Sequence, residues 1–309
     1  MEPYYILRLV LGTALALYLA RHGLKRNSLS YSGAIAAFFV GFVSFVTSYR
    51  FGILLILFYY TSSKLTKVNE AKKSRLEDHF KKGGQRNAVQ VLANSALATL
   101  LCLLYMRVVG EDKHVWFSTS RLGSTEFLFK EHLGGLIWCM YVAHYACAAG
   151  DTWASELGVL ATAQPRLVTT LFLRPVPPGT NGGMSLLGTA ASAAGGLFIG
   201  LLFVVMAQFV HPALSASQLP MALVGLLSGV LGSLLDSILG ATLQASYFSH
   251  KKKKIVKSLD SQDPSIEHIC GVDVLSNEGV NAISIGLTML AATAIGPRIF
   301  CLCDPDNHC

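Results

Sequence analysis

Charge is scarce in this sequence. Only 14% of its 309 residues are Asp, Glu, Lys or Arg, 52% are hydrophobic, and the mean hydropathy is +0.48. A soluble globular chain carries about a quarter charged residues, so that class is excluded. The seven cysteines (102, 139, 147, 270, 301, 303 and 309) make no zinc spacing. The terminal CLCDPDNHC resembles a metal tail, but it falls on the face expected to be luminal, where oxidation is at least as natural a fate. The nine histidines form no H-E-x-x-H or triad spacing, and no glycine run is followed by the GKS or GKT of a Walker A loop. No basic n-region with a cleavage site opens the chain, and no Arg/Ser-rich transit peptide does. The first apolar stretch is therefore read as a retained helix, and no convincing internal repeat of the transporter kind is visible.

What the chain has instead is long apolar runs. Crossing a bilayer takes about 20 mainly apolar residues. Eight candidate spans lie near 4–20, 31–48, 51–63, 88–107, 133–149, 185–210, 220–243 and 279–298, within one membrane domain over 1–309. The third is short enough to be half-spanning, which would make the count seven. The runs are too long for barrel strands, so the fold class is an all-α polytopic bundle of seven to eight transmembrane helices.

Lys and Arg are unevenly placed. With eight spans, the loops 21–30, 64–87, 150–184 and 244–278 share one side and hold eighteen of the 25. By the positive-inside rule that side is cytosolic. Attraction to anionic lipid explains any one of these lysines as well as a phosphate-binding basin does.

The unusual polar sequence gathers in the same loops and at their helix ends. KKGGQRN (81–87) runs into AVQVLAN, which sets Arg86 and Asn87 at a helix start with Gln90 and Asn94 following on one face. That suits an anionic ligand or an ordinary cap. In GDTWASELG (150–158), Asp151 with Thr152 and Ser155 is either an N-cap or a hard-cation ligand, and Glu156 falls in another helical sector. PVPPGTNGG (175–183) is a rigid connector or, through Gly179, Thr180, Asn181, Gly182 and Gly183, a concavity of backbone N–H groups. Asp236 lies about two turns inside the seventh span, where a charge is costly and normally serves a site. NEGVN (277–281) brings Asn277 and Asn281 to the start of the last span, to cap it or to bind a base or phosphate.

SSKLTK (62–67), GGQRNAVQVLAN (83–94), GDTWASELG, PVPPGTNGG, GSLLDSILGATLQ (232–244) and NEGVN together resemble the motifs of the integral membrane family called domain of unknown function 92. That family has an animal branch and includes the plant phytyl-phosphate kinase. The resemblance covers residues 20–300, and the chain is more similar to the animal branch. It implies phosphoryl transfer from a nucleoside triphosphate, CTP favoured over ATP, to an isoprenyl monophosphate such as phytyl, farnesyl or geranylgeranyl phosphate. GD-x-x-AS-x-x-G is also similar to the motif of dolichol kinases, phytol kinases and CDP-diglyceride synthases, whose next loop carries a lysine that PPGTNGGMS lacks.

On this reading Asp151 and Asp236 hold Mg²⁺ and, with Arg86, form the catalytic set. Lys64, Lys67 and Arg86 neutralise phosphate, and Gly179 to Gly183 cradle the nucleotide. Asn87, Asn94, Thr152, Ser155, Asn181, Asn277 and Asn281 line the site. The expected partners are the lipid phosphate, the nucleotide and membrane lipids, with no nucleic acid, and the expected location is the endoplasmic reticulum or another endomembrane. The alternatives are a CTP-dependent cytidylyltransferase acting on a phospholipid, and a transporter or scaffold built around Asp236.

Overall fold

The computed structural model describes residues 3–69, 84–110, 117, 125–171, 174–210, 212–256 and 263–303. Lys72 to Lys82 of the basic loop, Lys257 and the tail 304–309 lie outside the described residues.

Among the described residues the chain forms nine α-helices: α1 Pro3–Lys25, α2 Tyr31–Thr47, α3 Tyr49–Thr66, α4 Ala88–Ala93, α5 Ala96–Val108, α6 Thr125–Gly158, α7 Leu186–Val210, α8 Pro220–Leu243 and α9 Asn277–Leu302. Five segments are long and apolar enough to cross a membrane: Ile6–Lys25, Phe129–Gly158, Leu186–Phe209, Ala216–Leu243 and Asn277–Leu302. Tyr31–Thr47 and Ala96–Val108 are shorter apolar helices. The protein is thus a multi-pass, mainly helical integral membrane protein. The third window continues as a helix into the polar stretch after it: α3 runs 18 residues to Thr66 and is not among the five, and it starts because Ser48 ends α2 in an extended conformation and its hydroxyl accepts the Arg50 N–H at 3.1 Å.

At the centre stands α6. Ile137, Trp138, Tyr141, Val142, Tyr145 and Ala149 are all buried, as a helix apolar all round must be. It packs on α7, α8 and α9, with α3 and α5 against it and the α1–α2 pair outside. Glycine makes the innermost contacts. A Cβ on Gly150 of α6 would stand 2.7 Å from the Gly229 carbonyl of α8, and one on Gly229 would stand 2.7 Å from Gly196 Cα of α7. In lipid there is little hydrophobic drive to bring helices together, and small residues let backbones touch instead. The reading of Asp151 as an N-cap is overturned here, because α6 continues unbroken through Gly150 to Gly158.

The window 88–107 is two helices, broken at Asn94 and Ser95. The break frees the Asn94 carbonyl, and Nε2 of the wholly buried His144 on α6 donates to it at 2.8 Å. Broken backbone at membrane depth survives only where protein or a cavity satisfies it.

Two small sheets add a layer at one end of the bundle. β1 (Arg166–Leu167) pairs with β2 (Gly183–Met184), and β3 (Ser246–Ser249) lies between β4 (Lys254–Val256) and β5 (Ile266–Cys270), all antiparallel. Leu167, Val168, Val176, Ile269 and Cys270 from this layer form a satellite core on Ala241 at the end of α8. Between β1 and β2 the Pro/Gly loop is clamped. Its Thr180 N–H and hydroxyl both donate to the Pro177 carbonyl, Asn181 N–H donates to Ser246 Oγ at 3.1 Å, and Gly183 N–H donates to Thr180 O at 3.0 Å. Gly182 has φ +73°, and a Cβ there would stand 2.6 Å from the Ser237 carbonyl of α8.

Two substitutions test these supports. His144→Leu leaves the Asn94 carbonyl buried without a donor and costs about 1–3 kcal/mol, read as a lower thermal midpoint in detergent, with His144→Gln recovering part; an unchanged midpoint removes this role. Gly182→Ala adds left-handed strain to a collision and costs about 1–3 kcal/mol. Gly179→Ala, with φ +90° but only Ile255 Cγ1 nearby at 3.4 Å, costs less in the same assay.

Candidate active site

The end of the bundle that carries the sheets opens on a cavity of about 650 Å³. Each polar motif contributes through a different element. Asp151 comes from α6 and Asp236 from α8, and the glycine contacts between these helices bring the two carboxyl groups into hydrogen-bond contact. From α9, Ser284 Oγ donates to Asp236 Oδ2 at 3.2 Å. With its amide nitrogen facing its acceptors, Asn281 donates to the same oxygen at 3.2 Å and to the Asn277 carbonyl at 3.1 Å. Two donors on one oxygen hold the Asp236 carboxylate against Asp151. Two carboxyl groups side by side and half-buried on a cavity wall favour a cation or a shared proton between them.

Arg86 lines the same cavity from the segment before α4. Its backbone bridges to Leu29, with Arg86 N–H donating to Ser28 O at 3.0 Å and Ser30 N–H donating to Arg86 O at 2.9 Å. A Cβ on Gly33 would collide with the Arg86 carbonyl, so α2 approaches this segment only because residue 33 is glycine. The guanidinium donates to Ser63 Oγ at 3.1 Å and lies 5.8 Å from the centre of the Tyr59 ring. Burial lowers its pKa, while Tyr59 and Glu156 pull the other way. A guanidinium stays protonated at any physiological pH, so Arg86 is a fixed positive charge.

The cavity brings together Arg86, Asn87, Asn94, Asp151, Thr152, Ser155, the loop from Gly179 to Gly183, Asp236, Asn277 and Asn281. It does not bring in Lys64 or Lys67: the Lys64 ammonium sits 4.5 Å over the exposed Tyr60 ring, and Lys67 ends α3. Several members already have structural work. Asn87 and Gln90 form a reciprocal capping box, so the N–H groups at the start of the six-residue α4 are partly used. Thr152 and Ser155 donate to their own helix, to Ala148 O and Thr152 O. Three of the five N–H groups from Gly179 to Gly183 are bonded within the protein, so the loop shapes the wall more than it forms an anion nest. Asn277 is freed instead, because Ser276 caps α9 by accepting the Gly279 N–H at 3.2 Å.

Glu156 and Glu278 also line the cavity, and Glu156 interacts electrostatically with both Asp151 and Arg86. Helical spacing alone puts Glu156 in another sector from Asp151, yet a wide cavity receives residues from more than one sector of a helix. Ser284 gives no signal in the sequence except its position seven residues into the last span. Among the described lining residues four carboxyl groups therefore face one guanidinium. That balance of charge disfavours an anion unless cations accompany it.

Comparison with known proteins agrees with the six motifs. The model of the integral membrane protein DUF92 family matches residues 14–289. The chain is 42% identical to Protein PGR of Arabidopsis thaliana over 304 residues, covering 97% of this chain and all of that one. It is 27% identical to Protein VTE6, chloroplastic, of the same plant over 71% of this chain and 57% of the relative. An uncharacterized membrane protein of Methanocaldococcus jannaschii is 26% identical over 77% of this chain and 84% of its own length. No solved structure matches. The chain belongs to the DUF92 family of integral membrane proteins.

Proposed function

We propose that this protein is a membrane-embedded kinase that transfers the terminal phosphoryl group of a nucleoside triphosphate, CTP favoured, to an isoprenyl monophosphate. The observation that carries the reading is one cavity that unites the Asp151–Asp236 pair, Arg86 and the Pro/Gly loop and continues into apolar wall between α1, α2 and α3. Phosphoryl transfer asks a protein mainly for positioning and charge neutralisation. An oxygen of the lipid phosphate forms the new bond to the terminal phosphorus, the bond from that phosphorus to the bridging oxygen breaks, and the nucleoside diphosphate leaves with that oxygen. The acceptor oxygen is already ionised near neutral pH, so no general base is required.

Among the described residues no group of three His, Cys, Asp or Glu forms a protein cage for a metal. Two carboxylates in contact, facing a space large enough for phosphates, nevertheless fit Mg²⁺, which is usually held by one or two carboxylates plus substrate oxygens. Asp151 and Asp236 would hold it, and when bound it neutralises the phosphate charge that two further carboxylates oppose. Arg86 supplies the fixed positive charge, Asn281 and Ser284 keep Asp236 in place, and Asn181 and Asn277 are placed for the nucleotide. The charge asymmetry of the loops supports a cytosolic orientation of this end in an endomembrane.

Purified protein given γ-labelled CTP or ATP with phytyl, farnesyl or geranylgeranyl phosphate is expected to place the label on the lipid. Asp151→Asn and Asp236→Asn each lose at least about a hundredfold in rate. Label released in pyrophosphate identifies a cytidylyltransferase instead, and no consumption of nucleotide with any acceptor, or variants equal to wild type, overturns the kinase reading. A second measurement needs no turnover. Mg²⁺ with CTP raises the thermal midpoint of wild type by mass action, about 2.7 kcal/mol at one hundred times the dissociation constant. The Asp151→Asn/Asp236→Asn protein shows no Mg²⁺-dependent gain; equal gains in both proteins overturn the metal assignment.

A further inference from the structure

Away from the carboxylates the cavity changes character. Beyond Tyr59 and Arg86 its wall is made by Ala16 of α1, Ala37, Val40, Gly41 and Phe45 of α2 and Leu55 of α3. Alanine and glycine on the facing sides of α1 and α2 leave room where larger side chains would fill it. A Cβ on Gly41 would make only ordinary contact, 3.5 Å from Ala16 Cβ. The limb is continuous with the polar site, and the Tyr59 hydroxyl, bonded to Ser28 Oγ at 2.5 Å, sits at the junction.

Phe45 behaves differently from the rest of this wall. Its side chain is buried, and glycines on two other helices lie against it. A Cβ on Gly52 of α3 would stand 2.6 Å from Phe45 Cγ, and one on Gly12 of α1 would stand 3.2 Å from Phe45 Cβ. The ring packs on α3 at Gly52, and Phe45 is the last α2 residue in the direction of its C-terminus to line the limb.

The limb can be measured by the helices that line it. From Ala37 to Phe45 α2 advances about 12 Å, and from Leu55 to Tyr59 at the junction α3 advances about 6 Å, at 1.5 Å per residue. An extended chain gains about 1.2 Å per bond, by analogy with the 3.3–3.6 Å spanned by the three bonds of an extended residue, so a chain that enters the limb meets Phe45 within about ten main-chain bonds. Four isoprene units, about sixteen main-chain carbons, overrun that length.

We propose that this limb holds the hydrocarbon chain of the acceptor and that Phe45 is its floor, which makes the site select against prenyl monophosphates as long as four isoprene units. The proposal rests on the kinase reading for the position of the phosphate. Its test reads binding as well as transfer.

Geranyl, farnesyl and geranylgeranyl monophosphates are titrated into wild type, Phe45→Ala, Phe45→Leu and Gly41→Leu, with affinity read by native mass spectrometry. Wild type binds farnesyl phosphate more tightly than geranylgeranyl phosphate. Phe45→Ala deepens the floor and shifts the geranylgeranyl-to-farnesyl ratio by about tenfold toward the longer chain, the discrimination typical of methylene-scale changes in an apolar pocket. Phe45→Leu, a milder change that keeps the position filled, shifts it in the same direction by less. Gly41→Leu narrows the limb and weakens farnesyl phosphate about tenfold relative to geranyl phosphate. Affinity that climbs steadily with chain length in wild type, with ratios unchanged in all three variants, overturns the assignment. So does a phospholipid tail that no prenyl phosphate displaces. Unchanged ratios in protein that still transfers phosphate sink the floor alone, whereas shifted ratios without transfer sink the kinase reading and leave the floor standing.

Discussion

Gly150 and Gly229 let the backbones of α6 and α8 touch, and the meeting of the two acidic groups follows from that contact. A membrane helix finds no gain in moving apolar surface from lipid to protein, so close approach has to come from side chains that are absent. Gly195 and Gly196 of α7 close on the same spot, a Cβ on Gly195 falling 3.1 Å from the Ala149 carbonyl. Asp151 is the next residue after Gly150, and Asp236 lies about two turns beyond Gly229. A carboxylate facing lipid at either position would be costly. Three helices pressed together around glycine convert that cost into a shielded acidic pair, which α9 then completes from the side with Ser284 and Asn281.

The walls around the pair are built by different means. Arg86 belongs to no helix; backbone pairing with the segment before α2 holds it, and Gly33 permits that approach. The Pro/Gly loop is tied down by β3 and by the end of α8 rather than by its own conformation alone. On the proposed kinase reading, a fixed cation and an acidic pair in one cavity would let a nucleotide, a divalent ion and a lipid phosphate be ordered along it, and a metal ion held by the carboxylates would bring the positive charge that the Pro/Gly loop, which has no lysine, does not supply.

How much of this could be read from the sequence depended on the range of the interaction. The helical bundle was legible because hydropathy is local, and Asp236 stood out because an acid inside an apolar run is too costly to keep unless it serves a site. The gathering of Arg86, Asp151, Asn181 and Asn281 followed from placing alternate loops on one side. The break at Asn94 was not legible, because its stabilising partner is His144, 50 residues away on another helix. For the same reason Lys64, the last residue of SSK in a motif-like stretch, was expected in the site although its ammonium turns out over Tyr60. Asp151 was read as a possible cap because Gly150 looks like a helix end in one dimension. In three dimensions that glycine is a packing contact, and the helix runs on.

The far end of the bundle bears on the choice between an enzyme and a transporter. There Phe51 stacks on Trp138 with centroids 4.0 Å apart, Tyr141 donates to the Phe51 carbonyl at 2.8 Å, and the Arg50 guanidinium lies 4.3 Å over Trp138 and 5.1 Å from the Phe203 ring centre. These side chains are buried and belong to α3, α6 and α7, of which α6 and α7 also make the glycine contacts beside the acidic pair. Alternating access needs a gate on each side of a central site, usually between moving repeats. Opening this end would part a stacked aromatic pair and a cation held over two rings, and would shift the same helices whose glycine contacts create the site. A cavity entered from one end, with its charged groups near the mouth and its apolar limb leading inward, instead matches an amphipathic acceptor whose phosphate stays at the polar mouth while its chain occupies the limb.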